Sequence, residues 1–284
     1  MVPKEYYGRL FTKEQLPVNY HPEALTLESM IKVDKQLRCK RCYSRIEEDW
    51  QLPGGQYYCR ACIVFGRNQE GKELYYFPSK TSEIEFPVLK WFGELTPYQA
   101  KVSEKLLRTY RKQKDSLVHA VTGAGKTEMI YNIVAYVLEN KGHVAIASPR
   151  VDVCRELFLR MKRDFTCSIS LLHAESEPYD GSPLVIATTH QLLKFYQSFD
   201  LVIVDEVDAY PFVGNVMLNH AVEQAKTETG RFIYLTATST LSLEEQVRLG
   251  NLEKHHLARR FHGNPLVLPK FLWQGRRPIS LVYP

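Results

Sequence analysis

The run Ala120-Val-Thr-Gly-Ala-Gly-Lys-Thr127 constrains this chain more than any other feature. It follows an apolar stretch, Leu117–Val121, and precedes a segment with helical spacing, so the local order is strand, loop, helix. Glycines in such a loop let successive backbone N–H groups converge on phosphate oxygens, and a helix start adds partial positive charge. Thr122, Gly123, Ala124 and Gly125 form the expected cradle. Lys126 is placed to reach the β- and γ-phosphates of a nucleotide, and Thr127 to ligate Mg²⁺. The first motif position is Ala120 where a glycine is usual.

A second apolar run ends in acids: Leu201-Val-Ile-Val-Asp205-Glu206-Val-Asp208. Such an arrangement can hold Mg²⁺ through Asp205 and orient and deprotonate a water through Glu206, with Lys126 and Thr127 expected to converge on the two acids at adjacent strand ends. Continuous apolar runs of four or five residues predict buried parallel strands at Leu117–Val121, Val144–Ala147, Ile169–Leu172, Leu184–Ala187, Leu201–Val204 and Phe232–Leu235. Helical spacing fills the gaps over Tyr98–Arg111, Thr127–Glu139, Val151–Arg163, Gly214–Lys226 and Leu243–Arg248. This alternation predicts an α/β domain with a parallel sheet.

Cys39-Lys-Arg-Cys42 and Cys59-Arg-Ala-Cys62 are two C-x2-C pairs separated by 16 residues, a zinc-ribbon spacing. Each pair makes a tight knuckle, and four thiolates can converge tetrahedrally on Zn²⁺. Pro53-Gly54-Gly55 supplies the turn of an intervening hairpin. A four-ligand site leaves no open position, so it is structural. Arg38, Lys40, Arg41 and Arg60 flank the ligands and raise the expectation that the knuckles touch a DNA backbone. Cys154 shares an apolar helix face with Val151, Leu157, Phe158 and Met161 and reads as a core residue.

The net charge of +5 excludes a uniformly basic nucleic-acid coat, yet basic residues cluster. Six lie between Lys32 and Arg45 beside the single acid Asp34, and six lie between Lys254 and Arg277 with no acid. These stretches suit either phosphate backbones or a solvated surface. No apolar run reaches the ~20 residues of a membrane span, and Met1–Leu10 lacks a signal-peptide core. A cytoplasmic location is expected, where paired cysteines hold metal rather than form disulfides.

Ala-x-Thr-Gly-x-Gly-Lys-Thr together with Asp-Glu-x-Asp resembles motifs I and II of superfamily 2 helicases. Leu95-Thr-Pro-Tyr-Gln99 is similar to the adenine-reading glutamine motif, with Gln99 as reader. Ser148-Pro149-Arg150 and Thr188-Thr189-His-Gln-Leu192 resemble motifs Ia and Ib, which contact the DNA backbone. Thr236-Ala-Thr238 resembles motif III, which couples hydrolysis to movement. The ordered set covers residues 95–238 and implies a RecA-like P-loop NTPase lobe. With the N-terminal cysteines, Asp205-Glu-Val-Asp-Ala-Tyr-Pro-Phe212 and Arg260-Phe-His-Gly-Asn-Pro265, the chain resembles the ComFA family of late-competence ATPases. That resemblance implies ATP, Mg²⁺ and Zn²⁺ as cofactors and single-stranded DNA as partner. It also implies the competence protein ComFC, the ComEC membrane channel, a place at the inner face of the membrane, and homo-oligomers.

The expected organisation is an N-terminal segment without assigned role (1–36), a zinc module (37–66), a linker or strand pair (67–93), RecA-like lobe 1 (94–240), and a linker towards a second lobe (241–284). Only 46 residues follow Thr238, too few for a second lobe of domain size, so a fragment with weak, non-translocating turnover is expected. Trp273-Gln-Gly-Arg-Arg277 only partly matches an arginine motif. Two other functions fit the same residues. One is a primosomal or repair helicase, although in primosomal helicases the cysteine cluster lies after motif II. The other is a zinc-ribbon DNA-binding adaptor with a nucleotide-gated lobe that does no motor work.

Overall fold

The computed structural model describes residues 2–81, 83–258, 270–272 and 280–282. The Arg260–Pro265 and Trp273–Arg277 segments lie outside the described residues, as do Arg259, Arg260, Arg276 and Arg277 of the second basic cluster, whereas Lys254 of that cluster is described and pairs with Glu244. The N-terminal strands are β1 (Leu10–Thr12), β2 (Leu25–Glu28), β3 (Met30–Val33), β4 (Gln36–Cys39) and β5 (Glu73–Tyr76). The larger part then runs α1 (Pro97–Arg111), β6 (Asp115–Ala120), α2 (Lys126–Met129), α3 (Tyr131–Glu139), β7 (Val144–Ser148), α4 (Val151–Asp164), β8 (Ile169–Leu172) and β9 (Leu184–Thr188). It continues through β10 (Phe199–Asp205), α5 (Val216–Ala225), β11 (Lys226–Thr236), α6 (Leu241–Arg248) and β12 (Leu252–Leu257), with a last pair β13 (Lys270–Leu272) and β14 (Ser280–Val282).

Seven strands form one sheet in the order β12-β6-β11-β10-β7-β9-β8, and every pairing in it is parallel. The predicted strands are its members. Strand alternation sorts their side chains into two cores. Val144 and Ile146 point into one, with Leu106, Ile133, Val134, Leu157 and Met161 from the helices. Ala145 and Ala147 point into the other, with Leu218, Ala221 and Val222 of α5 and the four clustered cysteines. The cysteine module is therefore packed into the same core as the α5 face of the sheet.

Two features depart from expectation. The phosphate loop and the acid pair were expected at adjacent strand ends, but β11 lies between β6 and β10 and carries Thr236 to the gap. The helix expected over Thr127–Glu139 is interrupted at Ile130, whose N–H bonds to Thr127 O three residues back and tightens the turn. Sequence reading also missed β12, an edge strand paired with β6 along Leu252–Leu257. It missed the antiparallel sheet β1-β5-β2 as well, which brackets the cysteine module in sequence. The Pro53-Gly54-Gly55 turn forms as expected: Gln51 bridges Tyr57, and Gly55 takes φ +85°.

Candidate nucleotide site and cysteine cluster

The loop after β6 is open where a phosphate would enter. Thr122 and Gly123 are exposed, and Gly125, Lys126 and Thr127 are half-buried. Gly123 and Gly125 take φ +77° and +72°, a left-handed backbone that glycine adopts without a Cβ clash. Ala124 is buried, and its carbonyl accepts from Gln99 Nε2 at 2.9 Å. Among the described residues, Lys126 Nζ makes no hydrogen bond or ion pair.

Gln99 is only 2% exposed. Its Oε1 accepts from Thr96 N at 2.9 Å and from Thr96 Oγ1 at 3.0 Å, closing a capping box at the start of α1. Here both ends of its amide are engaged with protein. The residue expected to read adenine is a brace between α1 and the phosphate loop.

Asp205 ends β10, and its Oδ1 accepts from Glu206 N at 2.9 Å. Burial raises the Asp205 pKa, while the nearby Lys126 charge and the bond from Glu206 N pull it down. The lysine and the acid are thus within electrostatic reach of each other. Glu206 sits at φ +54°, a strained conformation for a side-chain-bearing residue. Its Oε2 is buried without a hydrogen bond and lies 3.9 Å from Arg150 Nε. Arg150 in turn pairs with Asp152, Nη2 to Oδ2 at 2.6 Å and Nε to Oδ1 at 3.2 Å. Cys154 is buried nearby, and burial pushes its thiol up to about 12. Thr236 is buried and its Oγ1 closes a turn with Thr238, donating to Thr238 O at 2.7 Å and accepting from Thr238 N at 2.9 Å. His119, just before the phosphate loop, meets Ala237 O through Nε2 at 3.2 Å.

Among the residues expected on DNA, Arg150 is exposed and Pro149 half-buried. Thr188 closes β9 in register with Ser148 and is 7% exposed, and Thr189, at the start of the short helical turn that follows, is fully buried.

The four cysteine sulfurs lie within 4.8 Å of one another and are wholly buried. Cys39 Sγ is 3.6 Å from Cys62 Sγ, and Cys42 Sγ is 3.5 Å from Cys59 Sγ. Tetrahedral Zn–S bonds of about 2.3 Å imply S···S separations of about 3.8 Å, so the cage fits that ion. Hydrogen bonds from Cys42, Cys59, Cys62 and Asn68 lower the Cys39 pKa, and the same crowding raises that of Cys62. Sequence reading missed Asn68, whose Nδ2 donates to Cys39 Sγ at 3.1 Å and to Ser29 O at 2.7 Å. It lies six residues beyond Cys62, outside the spacing of any ligand motif.

The flanking arginines also differ from expectation. Arg41 is fully buried and donates to Gly66 O at 2.8 Å, tying the two knuckles together. Arg38 lies over the Tyr43 ring, and Arg60 pairs with Asp49 at 3.2 Å. Tyr43 stacks on His220 of α5, and His220 Nε2 meets Lys40 O at 3.0 Å, which docks the module on the larger sheet.

The pattern that defines the DEAD/DEAH box helicase family matches residues 96–246, which include the phosphate loop, the acid pair and the Thr236 turn. The chain belongs to the DEAD/DEAH box helicase family. Two curated relatives share more of its length. Competence protein ComFA of Streptococcus pneumoniae is 57% identical over 272 residues, covering 95% of this chain and 62% of that protein. Competence protein ComFA of Bacillus subtilis is 34% identical over 273 residues, covering 93% and 59%. The chain thus spans about three-fifths of the length of these relatives. Among solved structures, the Pyrococcus furiosus Hef helicase domain matches with a TM-score of 0.48 and 20% identity, over 60% of this chain and 39% of that one. The UvsW helicase of bacteriophage T4 matches with 0.46 and 14%, over 62% and 70%. No helix among the described residues of this DEAD/DEAH box helicase is long and apolar enough to cross a membrane.

Proposed function

We propose that this chain is the ATP-binding lobe of a single-stranded DNA translocase that serves DNA uptake in natural transformation. The observation that carries the reading is the approach of unpaired Lys126 to Asp205, with Glu206 beside it and the loop open to solvent. The names of the two curated relatives support the task. Backbone N–H groups of residues 122–127 and the Lys126 ammonium bind the phosphates and orient the terminal one. Thr127 and Asp205 would hold Mg²⁺, which when bound withdraws charge from the β- and γ-oxygens. Glu206 takes a proton from water. The water oxygen bonds to the γ-phosphorus as its bond to the bridging oxygen breaks, and ADP leaves. The reading includes a second RecA-like lobe that supplies arginines to the transferring phosphoryl group. It also includes Zn²⁺ held by Cys39, Cys42, Cys59 and Cys62, and partners of the ComFC and ComEC type at the inner membrane face.

The test is ATP turnover with and without oligo(dT). We expect stimulation by DNA in the wild type, and at least a hundredfold loss, about 2.7 kcal/mol in the barrier, in Lys126→Ala and Glu206→Gln. DNA binding without any turnover, in this chain and in a chain of the relatives' full length, would replace the motor reading with that of an adaptor.

A further inference from the structure

Arg150 stands between two parts of the site that the proposed mechanism keeps separate. It is the exposed, charged member of the four residues expected on DNA, since Thr188 and Thr189 are buried. Its guanidinium also faces the water-activating carboxylate, with Nε 3.9 Å from Glu206 Oε2. That oxygen is buried and has no hydrogen bond, and among the described residues Arg150 is the cation that pairs with it. The left-handed backbone at Glu206, φ +54°, limits where its side chain can point. Asp152 accepts from Nε at 3.2 Å and from Nη2 at 2.6 Å, so both carboxylates meet the guanidinium at its Nε edge.

We propose that Arg150 is a positioning residue that couples DNA to hydrolysis: without DNA it holds the Glu206 carboxylate, and a backbone phosphate draws it away and frees the base. This rests on the motor reading above. At 3.9 Å the contact is electrostatic, too long for a hydrogen bond, and therefore easily given up. The Arg150 side chain is 53% exposed, so a phosphate can reach its fork and compete with Asp152 for the same planar donors. Glu206 is then released from Arg150 and is free to turn to the nucleotide.

The experiment measures kcat and KM for ATP in the wild type, Arg150→Gln and Arg150→Lys, without DNA and at oligo(dT) concentrations that saturate each protein. In Arg150→Gln the DNA-free kcat should rise severalfold, the stimulation ratio should fall to about one, and KM should stay unchanged. Arg150→Lys should recover part of the ratio, because it keeps the charge. Two results would overturn the coupling. One is a stimulation ratio in Arg150→Gln equal to that of the wild type at saturation, which makes Arg150 an affinity contact alone. The other is a parallel fall of both rates, which makes it structural. A wild type that hydrolyses ATP with no response to DNA sinks the motor reading and this coupling together.

Discussion

At the residue scale, the site depends on a few positions where backbone and side chain are fixed jointly. Gly125 is the clearest. It takes φ +72°, and a Cβ there would run into Gln99 Nε2. A left-handed alanine costs about 1–2 kcal/mol before that collision is counted. Gly125→Ala should therefore keep its helical circular dichroism but lose tenfold or more in affinity for a fluorescent ATP analogue, since 1.4 kcal/mol is a factor of about ten. Unchanged affinity would mean that the Gln99 brace is dispensable. The role of Gln99 was only half legible. Its place in Leu95-Thr-Pro-Tyr-Gln99 marked it as part of a nucleotide site. Its burial, and its bond to the Ala124 carbonyl, depend on α1 packing against the loop, which no local pattern encodes.

At the element scale, α1 is held at its start by a reciprocal cap. Thr96 Oγ1 accepts from Gln99 N at 3.4 Å, and Gln99 Oε1 accepts from Thr96 N at 2.9 Å. Pro97 follows at the first helical position, where a missing N–H costs nothing. Thr96→Ala should cost about 1 kcal/mol, a fall of roughly 2–4 °C in Tm, while Thr96→Ser should cost little. The same variant should bind ADP more weakly, because Gln99 loses its anchor. Thermal melts with and without ADP check both outcomes. Short apolar runs placed the central strands well, since a strand buried on both faces needs apolar residues throughout. Edge strand β12 escaped notice because Leu252-Glu-Lys-His-His-Leu257 has no continuous apolar run: charged residues fall on both of its faces, and the buried His255 is polar and meets Thr109.

Across the whole molecule, the cysteine module and the larger sheet share a core. The module's cysteines pack with Val202, Val204 and Leu218, and Tyr43 and Lys40 O dock on His220. With the proposed Zn²⁺ in the cysteine cage, a chelator should raise amide hydrogen exchange across residues 29–70 and around His220, while β6, β10 and β11 stay protected. Nucleotide affinity should change less than twofold, because the phosphate-loop segment packs into the other core through Ala124, Met129 and Ile130. Exchange unaltered by chelation would remove the metal from the account of this unit's stability.

The sequence by itself determined the phosphate loop, the acid pair and the four-cysteine cage. Each is written in adjacent residues whose spacing dictates the local backbone and the donor atoms. Tertiary structure alone decided that β11 separates the loop from the acids, that Arg41, Thr188 and Thr189 are buried, and that Arg150 meets Glu206. Strand order and helix packing bring together residues that are far apart along the chain, and a side chain's exposure depends on which neighbours that folding supplies.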